Sequence, residues 1–217
     1  NSNFIKTEHI NFKKIDIAKS QKKIEKTRVT KKKNPRIVGV ASDAAFGFYY
    51  PDDIEEIERH GCRVKKIDLI REARLPNIDG LFIGGGFPEI QAQKLQQNNS
   101  MKKSIYNAIN RGLPVYAECG GLMYLANRIK FGKSLTKMCN VFDIDIEMNE
   151  KPVGRGYTIL DTDKHPWSMK NKNIHAHEFH YSSVKFNKKR YKYAYNVKRG
   201  YGINGRKDGL IYKNTIA

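Results

Sequence analysis

Apolar residues in the first part of the chain form short runs that alternate with segments of helical pattern. Four such runs have the composition of buried parallel strands. The segments between them carry helix start and stop signals, such as an initial proline, acids in the first turn and a closing glycine. The predicted strands are 36–41, 62–70, 80–86 and 113–117, and the predicted helices are 51–61, 88–98, 101–112 and 120–129.

The pattern changes after about residue 131, where the helical signals fade. The stretches 153–160, 173–186, 190–200 and 208–214 have the pattern of strands separated by Gly and Asn turns. Alternating strands and helices of the earlier length imply a parallel sheet covered by helices on both faces. We therefore predict an α/β fold with a mainly parallel sheet and extra antiparallel strands towards the C-terminus.

The formal net charge of +19 is concentrated at the two ends of the chain. Residues 1–36 and 185–217 each carry a net charge of +9, whereas residues 37–184 carry +1. Tyrosines alternate with lysines in 185–199. They indicate a nucleic-acid surface, an amphipathic strand with a charged outer face, or a basic rim for a polyanionic substrate or acidic partner domain. We favour the charged strand and expect no nucleic-acid function.

Cysteine content and the lack of long apolar runs indicate the compartment. Three widely spaced cysteines form neither a disulfide framework nor a zinc-binding pattern, so we expect a reducing cytoplasm and no metal site. No run approaches the ~20 apolar residues of a membrane span. The chain begins with Asn1, and we expect a piece of a longer product: a basic linker at 1–35, then a globular domain at 36–217.

Cys119 lies between a predicted strand that ends at Ala117 and a predicted helix that begins at Gly120. Open α/β sheets place active sites at such strand ends. The small residues Ala117 and Gly121, two positions to either side, allow the sharp turn of a nucleophile elbow. Helix N–H groups favour the thiolate, and the N–H of Gly120 faces a developing oxyanion. We interpret Cys119 as a catalytic nucleophile; the alternative is a buried structural cysteine.

A second glycine cluster, IGGGFPE at 83–89, ends the neighbouring predicted strand and should lie beside Cys119. Consecutive glycines let the backbone approach a ligand closely and direct N–H groups towards it. We expect Gly85 or Gly86 to provide a second oxyanion donor. The segment lacks the GxxxxGK[ST] spacing of a phosphate-binding loop, which excludes nucleotide binding by this loop.

Four stretches together resemble a known family. ASDAAFGFYYPDD, GLFIGGGFPE, GLPVYAECGGLMYL and HEFHYS occur in the order found in the C-terminal glutamine amidotransferase domain of cobyrinate a,c-diamide synthases, a match that spans 36–217. The resemblance implies a flavodoxin-like class I amidotransferase fold. In that family a cysteine attacks the side-chain amide of glutamine, which gives a glutamyl thioester and releases ammonia to a separate domain.

By this resemblance, Cys119 is the nucleophile, and the glycines at 84–86 and Gly120 surround the bound glutamine and its oxyanion. Residues 1–35 become the tail of a preceding ATP-binding domain plus a linker. ATP and Mg²⁺ belong to that domain, and no cofactor is expected in this chain. The implied partners are glutamine, a carboxylate-rich tetrapyrrole and the N-terminal domain, with a homodimer left open.

The implied reaction is amidation of the a and c carboxylates of a corrin precursor in cobalamin biosynthesis. Two alternatives remain: a nickel-sirohydrochlorin a,c-diamide synthase, and a non-catalytic basic binding module. A thiolate mechanism also needs an imidazole partner. His175, His177 and His180 form no His-x-Glu pair. The family places its histidine after a strand that here ends at Ala217, so we expect it just beyond that residue and assign HEFHYS a structural or substrate-facing role.

Overall fold

The computed structural model describes residues 34–162, 165–167, 172–188 and 190–217, so nearly all of the predicted linker 1–35 lies outside the described residues. The helices are α1 (Pro51–Arg59), α2 (Ala92–Gln97), α3 (Asn99–Asn110) and α4 (Gly120–Leu125). None of these four helices has the length and apolar character that crossing a bilayer requires. The strands are β1 (Ile37–Ala41), β2 (Phe46–Phe48), β3 (Arg63–Ile67), β4 (Gly80–Ile83), β5 (Gly85–Gly86), β6 (Val115–Ala117), β7 (Arg128–Phe131), β8 (Ser134–Lys137), β9 (Ile144–Met148), β10 (Gly154–Asp161), β11 (Asn173–His180), β12 (Ser182–Phe186), β13 (Lys192–Arg199), β14 (Lys207–Tyr212) and β15 (Thr215–Ile216).

The main sheet has nine strands in the order β11-β10-β13-β14-β15-β6-β4-β1-β3. The strands from β15 to β3 pair in parallel, and the pairs from β11 to β15 are antiparallel. Strands β4 and β6 are short apolar runs whose residues are mostly buried, as is typical of parallel strands inside a sheet. The predicted α/β fold with a mixed sheet is confirmed.

Helix α3 packs into the same core as β4 and β6. Met101, Ile105 and Ile109 are four residues apart, so they lie on one face of the helix, and all three are fully buried. Burying each side chain of this size contributes roughly 1.5–3 kcal/mol. The side chain of Asn98 caps the helix by accepting a hydrogen bond from the Met101 N–H at 3.2 Å.

A second, four-stranded sheet in the order β12-β9-β7-β8 is absent from the sequence prediction. The predicted strand 173–186 is two strands, because the chain turns at Tyr181 and β12 pairs with β9 instead of the main sheet. The predicted helix 120–129 ends at Leu125, because the chain enters β7 at Arg128. Both differences come from pairing with β9, which no local pattern specifies.

The tyrosines of the basic C-terminal segment pack against the protein. Tyr195 is buried, and the hydroxyl of Tyr193 accepts a hydrogen bond from the Asn204 side chain at 2.7 Å. The hydroxyl of Tyr191 donates to the Asp143 carbonyl oxygen at 2.6 Å. Rings engaged in this way are typical of an amphipathic strand, whereas base stacking requires free ring faces.

Candidate active site

Cys119 occupies the sharp turn between β6 and α4. Its backbone has φ 49° and ψ −104°, a positive-φ conformation that residues other than glycine rarely adopt. A Cβ on Gly121 would overlap with the carbonyl oxygen of Ile83 and would lie 3.1 Å from the Cβ of Ala117. Strand and helix therefore converge with no room for larger side chains, which is the predicted geometry of a nucleophile elbow.

The three-glycine loop lies directly against this turn. Gly85 and Gly86 form β5, which pairs antiparallel with β2. A Cβ on Gly86 would collide with the backbone of Ala45, whereas one on Gly85 would lie 3.8 Å from the Cβ of Cys119. The absence of a side chain at Gly86 is therefore what allows the loop to pack between β2 and the nucleophile.

Hydrogen bonds from the loop after β1 hold this arrangement. The Gly84 N–H donates to the hydroxyl of Tyr49 at 2.9 Å, and that hydroxyl donates to the Ala41 carbonyl oxygen. The Gly84 N–H is thus already engaged. The carboxylate of Asp43 accepts hydrogen bonds from three backbone N–H groups, those of Ala45, Phe46 and Leu69.

Aromatic residues from both loops form the edge of the site. Phe46 is buried and packs against Tyr124, with ring centres 5.5 Å apart. Phe48 and Phe87 are more than half exposed and pack edge to face at 5.1 Å. Phe48 also borders Gly85, because its Cβ lies 3.3 Å from the position that a Gly85 Cβ would take. The rim beside the nucleophile is therefore partly apolar and open to solvent.

Burial is the largest influence on the thiol of Cys119, and it raises the pKa of that group. The N–H groups of Gly120 and Gly86 hydrogen-bond to the sulfur and lower the pKa, whereas the carboxylates of Glu89 and Glu118 raise it. Cys119 is exposed as a residue, while its sulfur is largely surrounded by protein. The N–H of Gly120 favours the thiolate, as predicted, but burial and the two acids outweigh it, so the thiol pKa is raised.

Glu89 places a carboxylate beside the nucleophile. Its Oε2 is buried and has no hydrogen-bond partner among the described residues. Burial raises the pKa of Glu89, and its own backbone N–H acts in the opposite direction. The preceding Pro88 packs on the elbow, with its Cδ 3.0 Å from the position that a Gly120 Cβ would take. Sequence analysis missed Glu89: it lies in the GGGFPE stretch, but nothing local signals an unpaired carboxylate.

His177 lies near the residue that precedes the nucleophile. Its ring is perpendicular to that of Tyr50, with ring centres 6.3 Å apart. Burial raises the pKa of Glu118, while a hydrogen bond from Tyr116 and the proximity of His177 lower it. The structure therefore brings His177 to the neighbourhood of Glu118, but no hydrogen bond joins it to Cys119 in the described part of the chain.

His180 has different surroundings, because it lies three residues after His177 on β11 and therefore on the opposite face of the strand. Its Nδ1 lies 2.8 Å from the carbonyl oxygen of Ser182. It also lies close to Asp208, whose pKa is raised by burial and lowered by the proximity of His180. His175 is exposed on the same strand. Neither of these two histidines is among the groups that influence the pKa of the Cys119 thiol.

The last described residues lie beside the strand that leads to the nucleophile. β15 pairs in parallel with β6, and Ile216 is opposite Tyr116. Ala217 extends this strand, because its N–H and carbonyl oxygen both hydrogen-bond to Leu210. Parallel strands in register end at the same edge of the sheet. A residue placed after Ala217 along this direction would approach the level of Cys119.

Solved structures share this fold. A chain of PurLQS from Thermotoga maritima superimposes with a TM-score of 0.61 at 13% identity, covering 84% of this chain and 85% of that one. A crystal structure of a glutamine amidotransferase gives a TM-score of 0.59 at 16% identity, covering 83% of this chain and 87% of that one. At these identities the likeness shows the fold alone, and it is that of glutamine amidotransferases.

Residues 37–217 match the CobB/CobQ-like glutamine amidotransferase domain, and the chain belongs to this family. The resemblance inferred from the four motifs is thereby confirmed. Similar proteins named cobyrinate a,c-diamide synthase come from Magnetococcus marinus (42% identical over 84% of this chain), Archaeoglobus fulgidus (38% over 82%) and Methanobrevibacter smithii (36% over 100%). The chain spans only 39% to 49% of the length of these relatives.

Proposed function

We propose that this chain hydrolyses glutamine through a thioester on Cys119 and passes the ammonia to a synthase domain. The observation that carries the proposal is the approach of two N–H groups, from Gly86 and Gly120, to the sulfur at a positive-φ turn. A structural cysteine needs neither a strained backbone nor donors from two separate loops. A nucleophile that generates an oxyanion needs both.

The same two donors would act during the reaction. The deprotonated sulfur of Cys119 attacks the side-chain amide carbon of glutamine, and the amide oxygen takes up the negative charge. The N–H groups of Gly86 and Gly120 would then stabilise that oxyanion, and losing one such donor typically costs about 100- to 1,000-fold in kcat. The tetrahedral intermediate then collapses: the carbon–nitrogen bond breaks, and the leaving nitrogen takes up a proton and departs as ammonia. Water then hydrolyses the thioester to glutamate and the free thiol.

The base that deprotonates Cys119 is proposed to be a histidine located beyond Ala217. The thiol pKa is raised, so a base is required for attack near neutral pH. The register of β15 with β6 supports this location, because a continuation of that strand would approach Cys119. Activity of the chain ending at Ala217 should therefore be low and should rise when natural sequence follows it. Full activity without extension would instead favour His177 as the base.

The names of the relatives support a cobyrinate a,c-diamide synthase as the complete enzyme, in preference to an enzyme acting on nickel-sirohydrochlorin. In this proposal a preceding domain binds ATP and Mg²⁺ and activates the a and c carboxylates of a corrin precursor. Ammonia from the Cys119 site then forms the amides. This chain spans only 39% to 49% of the length of these relatives, which leaves room in them for such a domain.

Trapping the covalent intermediate tests the hydrolytic step directly. The polypeptide is mixed with glutamine, quenched in acid after milliseconds to seconds, digested and analysed by mass spectrometry. The expected result is a glutamyl adduct on the peptide that contains Cys119, with unmodified peptides for Cys62 and Cys139. Glutamine turnover without any adduct on Cys119, even when hydrolysis of the adduct is slowed by low temperature, would contradict the proposal.

A further inference from the structure

We infer that the carboxylate of Glu89 binds the α-ammonium group of the substrate glutamine. This inference rests on the proposed glutaminase function and names a substrate contact within that same site. Glu89 follows the three-glycine loop, and its neighbour Pro88 packs against Gly120 at the elbow. The carboxylate is thus held by the same loop that provides an N–H donor to Cys119.

The first observation is the unpaired oxygen. Oε2 of Glu89 is buried without a hydrogen-bond partner among the described residues, and the only opposing influence on its raised pKa is its own backbone N–H. Buried polar atoms in folded proteins nearly always have a partner. An ionised carboxylate in such a place is costly unless a cation or donor joins it. The free protein therefore holds, in the loop beside the nucleophile, a carboxylate oxygen that lacks a donor.

The second observation is the position of this acceptor relative to the reacting sulfur. Pro88, the residue before Glu89, lies with its Cδ 3.0 Å from the position that a Cβ on Gly120 would take, and Gly120 follows Cys119, so Glu89 and Cys119 lie on adjoining segments. The charge of Glu89 accordingly influences the thiol. In glutamine four bonds of about 1.5 Å separate the amide carbon from the α-nitrogen, which places the ammonium roughly 5 Å from the carbon under attack. An acceptor near the sulfur, but not bonded to it, is where that cation needs a partner.

A role as the base for Cys119 fits the structure less well. Oε2 accepts no hydrogen bond from the sulfur or from any other described group, and the groups that lower the thiol pKa are the N–H groups of Gly120 and Gly86. An ionised Glu89 also raises the pKa of the thiol, so in the free protein it opposes formation of the thiolate. A bound ammonium would neutralise that charge and remove the opposition.

The experiment compares two substrates that differ only in the inferred contact. Glutaminase kinetics of the complete natural polypeptide are measured with L-glutamine and with glutaramate, which is glutamine without its α-amino group. The variant is Glu89→Gln, which keeps the shape of the side chain, and Glu58→Gln on the exposed surface of α1 is the matched control. Melting temperatures verify that both variants fold.

For Glu89→Gln, kcat/KM with glutamine should fall by about 10- to 100-fold, mainly through KM, since a hydrogen bond to a charged group is lost. With glutaramate it should change by less than about twofold. Equal losses with both substrates, losses mainly in kcat, or no loss with glutamine would each overturn the inference. Failure of the proposed function would look different: Cys119→Ala would then retain glutamine hydrolysis, whatever Glu89→Gln does.

Discussion

Replacing Gly86 with alanine should disrupt the loop that supports the nucleophile. A Cβ at this position would overlap with the Ala45 carbonyl oxygen, and it would lie 2.9 Å from the Ala45 carbonyl carbon and 3.0 Å from the Cα of Phe46. All three are backbone atoms at the start of β2 or in the residue just before it, so no side chain can rotate away. Gly86 has an ordinary φ, and the effect of Gly86→Ala is therefore a steric one.

Two neighbouring glycines provide controls for the same chemical change. A Cβ on Gly85 would meet only the Phe48 side chain, at 3.3 Å, and the Cys119 Cβ, at 3.8 Å. A Cβ on Gly47 would meet no heavy atom within 4 Å. Overpacking of a closed site costs about 1–3 kcal/mol, and backbone contacts place Gly86→Ala near the upper value. The two control variants should stay within about 1 kcal/mol of the parent protein.

Thermal unfolding followed by circular dichroism measures this difference. For a domain of this size each kcal/mol corresponds to about 2–4 °C, so Gly86→Ala should lower the melting temperature by roughly 6–12 °C. Its kcat for glutamine should also fall by about 100-fold, because the displaced N–H no longer reaches the oxyanion. A melting temperature within about 2 °C of Gly47→Ala would refute the close packing of this loop on β2.

Three further predictions concern titration and charge. Alkylation of Cys119 in this chain should be slow at neutral pH and accelerate as pH rises, because its thiol pKa is raised, and Cys139, buried with a pKa of about 12, should remain unmodified; a Cys119 rate already constant below neutrality would contradict this. Since the pKa of Glu89 is raised on folding, its contribution to stability is present at low pH and is lost as pH rises. The Tm of Glu89→Gln relative to the parent should therefore increase between about pH 4 and 8, and a constant difference would count against an ionisable buried carboxylate. The basic residues of 1–36 and 185–217 should give only weak, sequence-independent DNA binding that disappears with added salt, as fluorescence anisotropy would show; tight binding to one sequence at physiological salt would refute the charged-strand interpretation.

The parts of the fold predicted from the sequence are those encoded by local pattern. Buried parallel strands such as β4 and β6 are short apolar runs, and α1 has its own start and stop signals. The second sheet depends on pairing between β9 and β12, which lie more than thirty residues apart. Each strand is short, so its local pattern does not reveal which partner it will find.

In the candidate site, too, local features could be predicted from the sequence, whereas features that depend on distant residues could not. The position of Cys119 follows from small residues at Ala117 and Gly121, whose spacing is visible in the sequence. The protonation behaviour of the thiol is not visible there, because burial and the carboxylate of Glu89 act through space. Helix N–H groups are a local feature visible in the sequence, but burial and the nearby acids outweigh them.

The central claim is that Cys119 is the nucleophile that releases ammonia from glutamine. The most direct test measures amide formation by the complete natural polypeptide carrying Cys119→Ser, with either glutamine or ammonium chloride as the nitrogen source. The account predicts that glutamine-supported amidation is lost, while ammonia-supported amidation stays within about twofold of the parent, because free ammonia bypasses the thioester. Equal loss with both nitrogen sources, or retention of glutamine-supported activity, would contradict it.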